Sequence, residues 1–437
     1  MNLPEAWIRR MRTELRDEMP AFLNEFDKPA LRGIRMNPEK PVTGLREWDE
    51  ILDAVPWEKQ GFYLREDSLA GTTVMHEAGA FYLQEPSAMI PGAVMDARPG
   101  ERILDLCAAP GGKATQMGLA MGGRGVLVAN EPVEKRAKIL SRNIERMGIP
   151  NAVVTCARPE ELAEKWEGFF DGVMVDAPCS GEGMFRRNPE SRGEWSEENA
   201  AGCAARQREI LRAAVRMVRP GGRMVYSTCT WNPEENEDMI RWLLDTFPEF
   251  RMEGFELEGI DGRTGHFTCY PHRCRGEGQF AARLRRAGGA GESEAGMAGD
   301  SGLPRADREA LKGWRNDFPW LPEATHRLGN TLVRLEDSPP LQGIRILRAG
   351  LHLGEIRGKI VIPDHAAAMA WPAAEGPVCE ADEKEALKYL AGETLEKEQS
   401  GWTVVRFRGL SLGWGKGSGE ILRNHYPKGL RNQLLHI

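Results

Sequence analysis

Short apolar runs at 102–107, 125–130, 152–156, 170–176 and 222–228 alternate with stretches of helical periodicity. The latter begin near Lys113, run to about Met147, and recur at 197–218 and 233–245. Runs of this length bounded by Gly and Pro read as buried strands. Strands separated by helices need right-handed crossovers, so the pattern predicts an α/β fold with a mainly parallel sheet covered on both faces. Ligands of such sheets lie beyond the carboxyl ends of the strands.

The flanks follow other patterns. Residues 6–15 are amphipathic at helical spacing and precede a Pro-interrupted segment, which predicts a small accessory domain over 1–75. The α/β domain then spans 76–286. Segment 287–302 carries six glycines with Met297 as its only large aliphatic residue, so it cannot build a core, and 287–308 reads as a flexible linker. Beyond it, β-like runs at 343–348, 359–362 and 402–407 predict a compact α+β module over 309–437.

Charge adds a constraint on partners. The formal net charge of the 437 residues is −7, so no global field draws nucleic acid to the chain, and local patches must do that work. Segment 263–286 holds six Arg against one Glu, and 401–437 holds six Lys or Arg against one Glu. Each is a solvated face or a phosphate-binding surface. Eight cysteines lie scattered without paired zinc spacing, and there is no signal peptide or long apolar segment. A reducing cytoplasm, no membrane association and no structural metal are the expectation.

The chemistry concentrates at predicted strand ends. Asp105-Leu106-Cys107-Ala108-Ala109-Pro110-Gly111-Gly112-Lys113 follows the first apolar run, where paired glycines let backbone approach a ligand and the next helix offers free N–H groups. Glu131 ends the second run, 131 − 105 = 26 residues on, near the offset of an acid that accepts ribose hydroxyls. Without a Gly-Lys-Ser/Thr grip, the loop suits a nucleoside bearing an amino acid better than a triphosphate. Cys179, three residues after Asp176, and Cys229 end the fourth and fifth runs. Each is a buried small hydrophobe or a carbon nucleophile that needs a base or a favourable field.

Taken together, Asp105 to Lys113, Asp176-Ala177-Pro178-Cys179-Ser180-Gly181-Glu182-Gly183 and Ser227-Thr228-Cys229-Thr230 resemble the motifs of the Sun-type RNA (cytosine-5) methyltransferases. Gln84 to Ala88, Pro271-His272-Arg273 and Gly276 to Phe280 extend the match, and Leu412 to Lys416 with Asn424 to Arg431 resemble the RsmF-like branch acting on small-subunit ribosomal RNA. The resemblance implies a Rossmann-like methyltransferase fold, a PUA-like C-terminal module and S-adenosylmethionine as cofactor, in a chain expected to act as a monomer. Cys229 would attack carbon 6 of cytosine, Asp176 would bind the base's Watson–Crick edge, and Cys179 would assist loss of the carbon 5 proton. Cys107, Ala108, Ala109, Pro110, Gly111, Gly112, Lys113, Glu131 and Asp176 would line the cofactor, and Arg158 maps near its adenine, although relatives carry acidic or small polar residues there. Lys113 and Arg158 are equally readable as surface residues. Arg186-Arg187, Arg273-Arg275 and Lys416 to Arg431 are candidate phosphate contacts, with Trp414 and Tyr426 available for stacking or for packing. A non-catalytic RNA-binding assembly factor, and a methyltransferase acting on tRNA, DNA or a small molecule, are the competing readings.

Overall fold

The computed structural model describes residues 3–42, 48–289, 308–370 and 376–431; most of the predicted linker, 290–307, lies outside the described residues. The amphipathic N-terminal stretch forms the helix Glu5–Leu15, which buries Trp7, Met11 and Leu15 at successive turns. After it, β1 (Arg32–Met36), β2 (Ile51–Ala54), β3 (Gly61–Leu64) and β4 (Phe81–Leu83) make an antiparallel sheet in the order β2-β3-β1-β4. The N-terminal sheet thus draws in residues beyond 75, because β4 finds its partner in β1 before the chain turns into the α/β unit.

The five apolar runs become β5 (Arg102–Asp105), β6 (Val126–Asn130), β7 (Ala152–Thr155), β8 (Phe170–Asp176) and β9 (Val218–Thr228), all parallel in the spatial order β7-β6-β5-β8-β9. The chain reverses direction across the sheet beside β5, which is where a doubly wound sheet opens its crevice. Past β9, β10 (Phe250–Met252), a hairpin of β11 (Phe255–Leu257) and β12 (Ile260–Gly262), and β13 (His266–Cys269) precede β14 (Gln279–Arg286). Strand β14 runs antiparallel to β9 and carries β10 and β13.

Helices cover both faces. Glu134–Arg146 buries Ala137, Leu140 and Ile144 on one stripe. Pro132 reads in the sequence as a first-turn proline of this helix, but the helix starts at Glu134, so Pro132 lies before it. On the other face Glu197–Met217 is capped by Ser196, whose hydroxyl accepts from the Asn199 N–H. Its underside packs against Phe170, Val173 and Val175 in one core, while Leu127, Ala129 and Val154 belong to the core on the opposite face.

In the C-terminal part, β15 (His326–Leu328), β16 (Thr331–Arg334), β18 (Leu351–Arg357) and β19 (Ile360–Pro363) form one antiparallel sheet. Between them β17 (Ile346–Ala349) joins the central sheet antiparallel to β7, so this part is sewn to the α/β unit by backbone hydrogen bonds. A last sheet contains β20 (Val378–Glu380), β21 (Leu395–Phe407) and β22 (Leu410–Asn424).

Candidate active site

Register sets the site. Asp176 stands beside Ser227, and Asp105 beside both Met174 and Ala129, so the carboxyl ends of β5, β6, β8 and β9 finish at one level. There a cleft of about 210 Å³ opens, walled by Asp105, Cys107 to Pro110, Gly112, Lys113, Asp176 and Cys229 from the α/β unit. Tyr82, Gln84 and Glu85 close it from the N-terminal sheet, and Met184, Arg187, Gly278 and Gln279 complete the rim.

Loops after β8 and β9 bring two sulfurs together. Cys179 Sγ and Cys229 Sγ are 3.3 Å apart, and the Cys229 N–H points at Cys179 Sγ at 3.4 Å. The Cys179 thiol lies well above the ordinary thiol range, first through its hydrogen bond with Cys229, then through burial and the negative charge of Glu235. Cys179 therefore keeps its proton at neutral pH. Gly183 seals the arrangement: its N–H donates to the Cys229 carbonyl at 2.9 Å, and a Cβ at 183 would meet the Gly278 oxygen at 2.7 Å and the Cys229 oxygen at 2.9 Å.

Beside the sulfurs, Asp176 accepts from Lys113 Nζ at 2.8 Å and from Ser227 Oγ at 2.7 Å. Burial pulls the Lys113 ammonium down, but Asp176 outweighs it and leaves the group above its ordinary value. Lys113 is thus a cleft residue and not a surface lysine. Cys107 is wall: burial pushes its thiol far up, away from any thiolate role.

Asp105 is the group that sequence reasoning undervalued. It is fully buried, lines the cleft, and neither carboxylate oxygen meets a well-placed donor. Desolvation and the nearby Asp176 push its carboxyl up to about 8. Gln279 was missed as well. One step past the Phe280–Thr228 pair, the β9–β14 register sets it opposite Cys229, and its buried Nε2 has no partner among the described residues.

The cofactor loop behaves as its glycines require. Gly111 caps the helix Gly112–Ala120 at φ +118°, a left-handed conformation open to glycine, and the Ala109–Pro110 peptide is cis. A Cβ at Gly112 would press on Gln84 Nε2 at 3.2 Å, so that position keeps the cleft open. Glu131 is buried at the end of β6 but stands off the cleft wall, with one oxygen accepting from the Val133 N–H and the other paired to Arg136 at 3.1 Å. Arg158 is exposed just before the short helix Pro159–Ala163, in extended backbone after β7, and is not among the residues lining the cleft.

The basic candidates divide. Arg186 is consumed by Glu277 at 2.7 Å, with Glu25 as second partner, whereas Arg187 is exposed on the cleft rim with no ion pair among the described residues. Arg273 pairs with Glu18, and Arg275 with Asp53 while lying 4.0 Å from the Tyr63 ring centroid. Trp414 and Tyr426 are buried, at 2 % and 4 % exposure, so they pack instead of stacking on bases. Among the described residues no group of three or more His, Cys, Asp or Glu could hold a metal ion, and no helix is long and apolar enough to cross a membrane.

Comparison with known proteins places this site. The family model for 16S rRNA methyltransferase RsmB/F matches residues 92–285, and those for the RsmF N-terminal, first C-terminal and PUA domains match 3–86, 314–371 and 377–432. Ribosomal RNA small subunit methyltransferase F of Klebsiella pneumoniae is 34 % identical across 98 % of this chain and 96 % of its own length. The chain belongs to the methyltransferase F family. The Cronobacter sakazakii member is 32 % identical over the same shares. A methyltransferase homologue from Pyrococcus horikoshii superposes with TM-score 0.55 at 29 % identity over 62 % of this chain and 91 % of its own. NSun6 from the same organism, solved with SFG, shares the fold at TM-score 0.56 and 20 % identity over 65 % and 99 %. Methyltransferase F membership accounts for both the Rossmann-like unit and the PUA domain.

Proposed function

We propose that this chain methylates carbon 5 of a cytosine in small-subunit ribosomal RNA, with S-adenosylmethionine as donor, through a transient bond between Cys229 and the base. The observation that carries the reading is the sulfur pair, 3.3 Å apart where the loops after β8 and β9 meet, with Cys229 lining the same cleft as Asp176. One sulfur suffices for a metal-free wall; two in contact beside a hydrogen-bonding acid match an addition followed by an elimination.

The residues present fit the cofactor. Asp105 offers a buried carboxyl that a cationic ligand beside it would bring down and ionise, and Gly111 and Gly112 leave backbone room there. Cys107 to Lys113 would line the methionine portion, and Glu131 would exchange Arg136 for the ribose hydroxyls. When bound, the cofactor supplies the electrophilic methyl group that carbon 5 takes up. Cys229 gives its proton to solvent and adds to carbon 6 as thiolate, while Cys179 keeps its own proton. Asp176, oriented by Ser227 and Lys113, accepts from the exocyclic amino group of the base. Once its own proton has left to solvent, Cys179 takes the carbon 5 proton and Cys229 departs.

The base must leave its stack to reach this depth. Arg187 on the rim is placed to hold a phosphate of the extruded nucleotide. Action as a monomer in a reducing cytoplasm is part of this reading, and eight unpaired cysteines suit that compartment. The test is incubation of small-subunit ribosomal RNA with labelled S-adenosylmethionine. Cys229→Ala should abolish label transfer and adduct, while Cys179→Ala should accumulate a protein–RNA adduct on a denaturing gel. Label transfer that survives Cys229→Ala, or lands elsewhere than carbon 5, overturns the reading.

A further inference from the structure

Cys179 stands on a loop with no regular structure, so apart from the contacts of its sulfur with Cys229 its position is set through its chain neighbours. Both neighbours are gripped by buried side chains from other elements. Glu235, in the turn after β9, accepts from the Ser180 N–H at 3.0 Å and from Ser180 Oγ at 2.5 Å. Gln207, fully buried on the helix Glu197–Met217, donates through Nε2 to the Pro178 carbonyl at 3.0 Å and to Glu235 at 2.8 Å. Ser180 Oγ also lies 2.9 Å from Thr230 Oγ1, next to Cys229. Tyr226 holds the other end of the clamp, its hydroxyl donating to the Glu235 carbonyl at 2.6 Å.

We propose that Glu235 and Gln207 are positioning residues for the release step: they set the Cys179 sulfur where it can take the carbon 5 proton, without touching substrate themselves. The inference rests on the reading of Cys179 as the group that serves elimination. In that step the carbon 5–hydrogen bond gives its electron pair to the reforming ring double bond. The carbon 6–sulfur bond breaks with its pair on Cys229, and the proton passes to the Cys179 thiolate. Proton transfer demands hydrogen-bond reach, and a sulfur free to drift by an ångström loses it. Addition by Cys229 makes no such demand on residue 179, so loosening the clamp should separate the two halves of the reaction. A carboxylate is needed at 235 only as acceptor for two donors that converge on one oxygen. Glutamine can keep that oxygen in place and donate to Ser180 Oγ with its amide nitrogen.

The full-length chain is tested as Glu235→Ala, Gln207→Ala, Glu235→Gln and each alanine variant combined with Cys179→Ala. The alanine variants should form the first covalent adduct at a rate within about twofold of the parent, lose steady-state turnover roughly 10- to 100-fold, and accumulate adduct on a denaturing gel. Glu235→Gln should restore turnover. In the Cys179→Ala background the alanine changes should cost nothing further, because the sulfur they position is gone. Loss of adduct formation together with turnover, additive loss in the double variants, or turnover unchanged in the alanine variants overturns the positioning role. If Cys179→Ala alone releases product normally, the reading of Cys179 fails, and that result is distinct from any behaviour of residue 235.

Discussion

At the residue scale, charge placement decides most of what this site can do. Asp105 is a buried carboxyl with no well-placed donor among the described residues, and its raised value means that the folded chain keeps a proton that the unfolded chain gives up. Stability contributed by this group is therefore full below the unfolded value near 3.8 and is lost as pH rises toward about 8. Asp105→Asn should flatten urea-derived stability across that window, removing a decline of up to about 1.4 kcal/mol per pH unit. An unchanged slope would mean that Asp105 is already ionised in the free protein. Arg187 belongs to the same scale. Because it is exposed and unpaired, Arg187→Ala should weaken RNA binding and lower the slope of log affinity against log salt by about 1. Arg186→Ala should instead act on stability, since its guanidinium is bound to Glu277 inside the protein.

Among elements, the decisive event is the meeting of the loops after β8 and β9. Parallel pairing with Asp176 opposite Ser227 brings the two strand ends level, and the Ala177 N–H bonds the Ser227 carbonyl at 2.8 Å to continue that alignment. Beyond it the loops close only because residue 183 has no side chain. Gly183→Ala must spread two backbone segments, which costs about 1–3 kcal/mol. It should lower methyl transfer on the order of 10- to 100-fold, more than a matched loss of stability explains, because the sulfur pair would separate. Parallel measurement of melting temperature and turnover checks this. Strand positions and helix periodicity were legible in the sequence here, since burial on both faces makes parallel strands apolar throughout. The helix start at Glu134 was not, because Pro132 is compatible with either a first turn or the approach to one.

Over the whole molecule, the N-terminal part is an integral wall of the active site. Trp7 packs against Phe22, Phe185 and Trp231, with Trp231 two residues from Cys229. Arg10 reaches from the N-terminal helix to the fully buried Glu182 at 2.6 and 2.8 Å, and Glu182 also accepts from Trp195 Nε1 and the Trp231 N–H. Arg10→Ala leaves that carboxylate without its cation and should destabilise the protein by about 3 kcal/mol. Denaturant titration measures the loss. Labelling of the sulfurs by a thiol reagent should rise in parallel, since the loop carrying Glu182 follows Cys179 directly.

Local sequence by itself determined the order of strands and helices, the glycine loop and the two cysteines at strand ends, because periodicity and backbone freedom are written over a few adjacent residues. It also carried the family resemblance that methyltransferase F membership bears out. Only the tertiary structure decided which polar groups meet. It left Asp105 without a well-placed donor among the described residues, turned Arg158 outward, gave Arg186 to Glu277 and buried Trp414 and Tyr426. It also brought Glu235 to Ser180 across 55 positions of chain. Solvation and charge pairing depend on neighbours supplied by distant segments, and no window along the chain contains them.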